Sequence, residues 1–217
     1  MKVIIFGCGR ISELAYYYLR DDSMYEVVAF TVHKEYMKDV FFQNKPVIEF
    51  EKLEDFYDPN EYYMFAPISA TKLNKLRESV YNEGKNKGYK FISYISSKSL
   101  CCTKNIGENC FILENNVIQY CVKIGNNCIL WSGNHIGHHS EIEDNVFITS
   151  HVVISGMCKI KKYSYIGVNS TLKDGLTIAE NTVIGMSSTV TKNTEEYNIY
   201  IGSPAKILKK CDDTLIL

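Results

Sequence analysis

From Ile106 onward the chain carries an aliphatic residue at every sixth position: Ile106, Ile112, Ile118, Ile124, Leu130, Ile136, Ile142, Ile148, Ile154, Ile160, Ile166, Leu172, Ile178, Ile184 and Val190. With Ile, Leu and Val filling about a quarter of positions, a run of fifteen arises by chance about once in a billion. A period of six is neither helical nor a strand alternation. It is a repeat, and hexapeptide repeats build a parallel β-helix. Each hexapeptide supplies one side of a triangular coil, and three make an eighteen-residue rung. The residue two places before each aliphatic position is usually small: Cys110, Val122, Cys128, Ser140, Val146, Val152, Cys158, Ser164, Ser170, Thr182 and Ser188. A corner inside a narrow prism has room for little more. Residues eighteen apart then stack in columns one strand spacing apart, and each rung is stabilised mainly by its neighbours. Parallel crossovers are ordinarily right-handed, and the repeat alone does not set the hand of this coil.

The first ninety residues follow another pattern. Stretches 2–6, 26–32, 62–66 and 90–94 read as strands. A helix runs to about Arg20, and 70–87 reads as an amphipathic helix with Leu73, Leu76 and Val80 on one face. The expected fold is α/β + β. Residues 1–96 form a small Rossmann-like domain with a four-stranded layer, and 97–217 form the β-helix with a C-terminal tail. No Pro- or Gly-rich linker joins them, so the two parts are expected to dock closely.

The first strand runs into Gly7-Cys8-Gly9-Arg10-Ile11-Ser12 at the start of a helix. Glycines there permit a tight turn and close backbone approach, and the helix N-terminus attracts phosphate. Ser12 is expected to cap the helix, leaving amides around Gly9 and Arg10 for a diphosphate. The third glycine of the dinucleotide fingerprint is a serine, and the second strand ends at Val32-His33 without the acid that holds an NAD ribose. The turn therefore points to the diphosphate of a nucleotide-sugar over NAD, with a purely structural turn as the alternative. The candidate substrate residues are Gly7, Gly9, Arg10, Ile11, Ser12 and His33.

Composition narrows the classes. At 217 residues the chain suits two modest domains. Its net charge of −1 offers no basic surplus for nucleic acid. No apolar run is long enough to insert in a membrane, and the N-terminus lacks a signal-peptide pattern, so a cytoplasmic location is expected. Eight cysteines without a C-x-x-C pair read as reduced structural thiols.

Four of the five histidines are His135, His138, His139 and His151. Inward positions are aliphatic or small, so these line corners or outer faces. Solvated polar residues on a turn are one reading, and a functional cluster is the other. A zinc site lacks flanking ligands at standard spacing, so no metal is expected. Gly156 lies eighteen residues after His138 and sits one rung along. Outward Phe111, Val117, Ile129, Phe147 and Val153 recur on the faces and suit packing against other subunits.

Four features together resemble one family over essentially the full length. They are the GCGR turn, the junction Ile92-Ser93-Tyr94-Ile95-Ser96, the hexapeptide coil and the closing Gly202-Ser203-Pro204-Ala205-Lys206. The family is that of bacterial sugar acyltransferases, which includes sialic acid O-acetyltransferases and N-acetyltransferases of UDP-linked amino sugars. The resemblance implies a left-handed β-helix, a homotrimer, a nucleotide-sugar on the Rossmann-like domain and acetyl-CoA in a groove between subunits. It places the general base at His138. His139 stands where the family has a carboxylate, and Phe147 where some relatives have a further histidine. His138 would take the acceptor's proton and the Gly156 N–H would hold the oxyanion. No acyl-enzyme is required; Ser140 and Ser155 read as small inward or corner residues. Gly156, with Gly167-Val168, Gly185-Met186 and Lys206 of the neighbouring subunit, would line the acetyl-CoA site. The expected function is acetyl transfer to the amino group of a nucleotide-linked sugar in glycan biosynthesis. O-acetylation of a sugar hydroxyl, and a non-catalytic scaffold, are the alternatives.

Overall fold

The structure, a computed structural model, describes residues 1–212 and 214. The end of the tail assigned to the second domain, Asp213 and Leu215 to Leu217, lies outside the described residues.

The N-terminal part is a parallel sheet flanked by helices. In chain order it comprises β1 (Lys2–Phe6), α1 (Arg10–Asp21), β2 (Glu26–Val32), β3 (Phe41–Phe42), β4 (Lys45–Glu49), β5 (Tyr62–Phe65), α2 (Lys75–Asn86) and β6 (Lys90–Phe91). The six strands run in the order β3-β4-β2-β1-β5-β6. Only the β3–β4 hairpin is antiparallel, and left-handed Gln43 and Asn44 turn it. The four expected strands are present. The hairpin is the addition; its edge strand, Phe41–Phe42, is too short to show an alternation. Side chains of β1 alternate: Val3 and Ile5 pack with Ala15, Leu19 and Phe30, while Ile4 and Phe6 pack with Met64, Val80 and Phe91.

The second helix is shorter than its pattern predicts. Lys72, Leu73 and Asn74 adopt left-handed conformations, so the helix starts only at Lys75. Leu73 is buried outside the helix, Leu76 is 38% exposed, and Arg77 points inward with no exposed surface.

The coil follows its six-residue count closely. Each aliphatic position from Ile112 to Val190 ends a two-residue strand, and all of them are buried. Ile106 makes an isolated parallel bridge to Ile124. The eleven small residues preceding them are buried as well. The coil starts two sides before the repeat does: Tyr94–Ile95 pairs with Phe111–Ile112, and Leu100–Cys101 with Val117–Ile118. Counting back by six from Ile106 would turn Leu100 inward. The side from Cys101 to Ile106 is one residue short, so Cys101 takes the inward place and Leu100 is 62% exposed. At the far end Tyr200 pairs with Ile184 and plugs the prism.

The three faces differ in chemistry. Outward positions of the first are Tyr94, Phe111, Ile129, Phe147, Tyr165 and Val183. Those of the second are Val117, His135, Val153, Thr171 and Thr189. The third carries Lys123, Glu141, Lys159 and Thr177, a solvated charge ladder.

The first face is where the N-terminal part docks. Phe111, Ile129 and Phe147 are buried in one cluster with Val3, Ile5, Leu19 and Phe65. Burying each such side chain contributes about 1.5–3 kcal/mol. This corrects the expectation that these three residues pack against other subunits; their partner is the same chain. Val117 and Val153 stay on the second face, where Val153 is 39% exposed.

Polar contacts fix the docking angle. Asp22 accepts hydrogen bonds from Tyr94 Oη (2.6 Å), Ser97 N–H (2.9 Å) and Ser96 Oγ (3.1 Å). Those bonds, from Ser97 and Tyr94 above all, hold its carboxyl far below the usual carboxylate range. A depressed folded-state pKa stabilises the fold above the unfolded value, about 3.9. That contribution is lost as pH falls below it toward the folded value. Asp22→Asn should therefore cost about 1–2 kcal/mol at pH 7 in urea denaturation, and the difference from wild type should shrink steadily below about pH 4.

Candidate active site

Two regions carry the candidate chemistry. The first is the turn after β1. Gly7 has φ +106°, and a Cβ there would stand 2.3 Å from Ser12 Oγ. Only glycine suits that position. Ser12 does not cap α1: the N-cap is Gly9, without a side-chain cap, and Ser12 Oγ donates back to the Phe6 carbonyl (3.2 Å). The serine in the third glycine's place thus closes the turn from within. First-turn amides of a helix have no intrahelical partner, and here they border open space.

Gly7, Gly9, Arg10, Ile11, Ser12 and His33 all line one cleft of about 460 Å³. Its far wall is Pro67, Ile68, Ser69 and Leu76, which the sequence reading missed. They follow β5, and the carboxyl ends of parallel strands are the signal that could have found them. A second cleft, of about 470 Å³, shares Gly7, Gly9, His33 and Tyr36 and adds Cys8, Lys38, Asp39 and Phe42. Burial, and then Asp39, push the Cys8 thiol up to about 11, so it is neutral at physiological pH. His33 Nδ1 lies 2.9 Å from Glu51 Oε1, and the Lys34 N–H donates to Glu51 Oε2 (3.0 Å). Burial alone would raise Glu51, but these bonds hold it below its ordinary value.

The second region is the coil corner between its second and third faces. The rung register stacks Tyr120, His138 and Gly156 in one column. A Cβ on Gly156 would lie 2.8 Å from both His138 Cε1 and Nε2, so the imidazole rests over the glycine. Among the described residues the Gly156 N–H has no acceptor. The His138 N–H donates to Gln119 Oε1 (2.8 Å). His138 Nδ1 is 3.1 Å from His139 Nδ1, with the rings edge-on. Both histidines are exposed. Ser140 is buried, with its hydroxyl donating to the Ser155 carbonyl (3.1 Å).

The four clustered histidines are not one group. His135 sits on the second face, and His151 packs over Gly133 at the corner between first and second faces. No group of three or more His, Cys, Asp or Glu side chains among the described residues could hold a metal. Val168 (39% exposed) and Met186 (76% exposed) line that first-to-second corner one rung apart. They are therefore across the second face from His138. Gly167 is buried for a packing reason, since a Cβ would strike Met186 N at 2.6 Å; at Gly185 it would strike Ile201. Lys206 is exposed in the closing hairpin that follows Ala205.

Residues 103–138 and 122–156 match the family of the bacterial transferase hexapeptide (six repeats). The coil carries the bacterial transferase hexapeptide repeat. Among curated proteins no match is found. Solved structures extend the likeness beyond the hexapeptide coil. A histidine-to-asparagine mutant of perosamine N-acetyltransferase from Caulobacter crescentus, in complex with CoA and GDP-perosamine, superposes with a TM-score of 0.84 at 19% identity, over 97% of this chain and 98% of that one. The acetyltransferase domain of PglB from Neisseria gonorrhoeae FA1090, in complex with acetyl coenzyme A, gives 0.81 at 16%, over 95% and 98%. WeeI from Acinetobacter baumannii AYE gives 0.80 at 17%, over 96% and 100%. At these identities the likeness establishes a common fold, N-terminal layer and hexapeptide coil together. No helix among the described residues is long and apolar enough to cross a membrane.

The turn makes a direct test of its two glycines. Gly7→Ala should cost about 1–3 kcal/mol and lower the melting temperature. Gly9→Ala should leave it unchanged, because a Cβ on Gly9 meets nothing within 4 Å.

Proposed function

We propose that the protein transfers the acetyl group of acetyl-CoA to the amino group of a nucleotide-linked sugar, with His138 as general base. The observation that carries this reading is the His138 imidazole seated over Gly156, whose N–H has no acceptor among the described residues. A base and an oxyanion donor one strand spacing apart are what direct acyl transfer needs. The amine attacks the acetyl carbonyl while His138 Nε2 takes its proton, and the Gly156 N–H stabilises the oxyanion. Collapse expels the CoA thiolate, which recovers the proton from His138. No seryl intermediate is needed, and the Ser140 hydroxyl is already engaged. The CoA-bound and GDP-sugar-bound relatives of the same fold support the choice of donor and acceptor class.

The nucleotide-sugar would occupy the clefts at Gly7–Ser12, its diphosphate on the first-turn amides of α1. The N-terminal part covers the first face of the prism, while His138 lies at the corner opposite that face. One copy therefore holds the acceptor cleft and the base on opposite sides of its own coil. The active assembly is a homotrimer in which the base of one copy serves the cleft of the next. Val168 and Met186 of that next copy would border the acetyl-CoA groove.

The primary test follows CoA release from acetyl-CoA with a panel of UDP-, dTDP- and GDP-amino sugars, with the product identified by mass. His138→Ala should lower turnover by roughly a hundredfold, and Gly9→Val should raise the acceptor KM by filling the cleft. At an acceptor concentration well below the raised KM, where neither variant alone turns over appreciably, mixing the two should restore about a quarter of the wild-type rate, the share of randomly assembled interfaces with both parts intact. A mixture that stays inactive would confine the site to one chain.

Calorimetry separates this reading from dinucleotide binding. A UDP-, dTDP- or GDP-sugar should bind, and Gly9→Val should weaken that binding. NADH should not bind, since β2 ends in Val32-His33 and the carboxylate nearby, Glu51, is held by His33 and Lys34.

A further inference from the structure

We infer that His138 and His139 act as one proton-holding unit, in which a single bound proton silences the base. The inference rests on the acetyl-transfer reading and concerns how that site is regulated. Two imidazole nitrogens 3.1 Å apart bond only if one carries a hydrogen and the other is bare. The neutral pair then has two arrangements. When His138 Nδ1 donates, its Nε2 is bare and faces the Gly156 column, ready to accept a proton. When His139 Nδ1 donates, the hydrogen of His138 sits on Nε2 and no base is available. One added proton fills both Nε2 positions, whichever ring it enters, and the shared Nδ1 hydrogen remains. A second proton would set two N–H groups against each other and break the contact.

The backbone fixes the points from which the two rings extend. His139 has φ 58°, dictated by the corner of the coil, and its N–H is held by the Tyr120 carbonyl (3.3 Å). The His138 N–H is held by Gln119. Tyr120 and Cys121 are the titratable side chains of the preceding rung at this corner, and Gly156 and Met157 of the following rung carry none. On the third face Glu141 starts the next strand, and the adjoining Lys123 and Lys159 flank it in register. Among the described residues neither imidazole of the pair forms an ion pair with a carboxylate; the histidine that does is His33. The proton on His138 is therefore settled by His139. During transfer, the charge created when the base takes the acceptor's proton spreads over both rings. A fixed carboxylate would instead anchor it on one.

The full-length protein with 15N-labelled histidines tests this directly. Both rings should shift together in one step that takes up one proton, with a second step at clearly lower pH. The acid limb of kcat/KM should coincide with the first step. His139→Ala should lower kcat/KM roughly ten- to hundredfold and leave His138 titrating alone. His139→Asn, which tolerates the left-handed backbone and still accepts from His138 Nδ1, should recover most of the loss without the coupled step. His139→Glu should move the acid limb to higher pH, because a carboxylate favours the imidazolium. Independent titration of the rings, or an unchanged rate and acid limb in His139→Ala, would overturn the pairing while leaving acetyl transfer standing. Coupled rings in a protein that releases no CoA with any acceptor would leave the pairing standing and remove the proposed reaction.

Discussion

Six residues per side can close a triangle only if the chain turns sharply at each corner. Here it does so with one left-handed residue per side, three places before the inward aliphatic residue. The series runs from Asn109 to Ser187 in steps of six without a gap. An ordinary side chain pays about 1–2 kcal/mol in that conformation, whereas glycine adopts it freely and asparagine and histidine are enriched in it. Asn109, Asn115, Asn127, Asn145, Asn169 and Asn181 occupy it, as do Gly133, Gly175, His139 and His151. The buried asparagines also bond from rung to rung: Asn109 Nδ2 donates to Asn127, and Asn127 to Asn145. With every corner set this way, column positions are determined by counting. That is why a base and a glycine eighteen residues apart meet.

The asparagine column also carries the coil's grip on the N-terminal part. Asn109 Oδ1 accepts from the Ala66 N–H (2.8 Å), and Asn145 Nδ2 donates to Glu78 (2.9 Å), which also accepts from Tyr163. Between them lies Arg77, wholly buried without a carboxylate. Its guanidinium donates to the carbonyls of Asn127, Ile68 and Ser69 and to Asn74 Oδ1. Burial lowers its pKa to about 10, which still leaves it charged at neutral pH. A buried cation is tolerated only when its donors are satisfied. Arg77 therefore ties the loop after β5, a wall of the cleft at Gly7–Ser12, to the coil at Asn127. The cleft is shaped by the coil although none of its walls belongs to it.

The repeat, the small inward residues and the stacking of His138 on Gly156 were legible because each follows from one period. The turn at Gly7 was legible because glycines mark it. What escaped were features set by tertiary contact. The first face looks like a subunit interface in sequence, since Phe111, Ile129 and Phe147 read as outward, and only the fold shows that the chain covers them itself. The short side before Ile106 is invisible to counting because Leu100, which the count turns inward, is as apolar as the inward residues of the coil, although Cys101 takes its place. The left-handed column left a trace, the recurrent asparagine, that a search for apolar periodicity passes over. Arg77 was hidden because a helix pattern reads a cation as an exposed position, and here four acceptors draw it inward.

These features converge on one consequence for the proposed chemistry. The apolar docking face forces the acceptor cleft to one side of the prism, and the repeat register forces the base to the corner opposite. Neither placement can shift without exposing Phe111, Ile129 and Phe147 or breaking the six-residue count. On the proposed reading, joining cleft and base depends on a second copy, and the second face lies between His138 and the Val168–Met186 corner, away from the first face that the N-terminal part covers. Its outward residues, Val117, His135, Val153, Thr171 and Thr189, are neither the aromatic set that docks a domain nor the charge ladder of the solvated third face. A moderately apolar surface of this kind suits contact between folded copies. Under the proposed chemistry the three faces of one coil divide accordingly: one is covered by its own N-terminal part, one carries the charge ladder, and the third is left for the neighbour the reaction calls for.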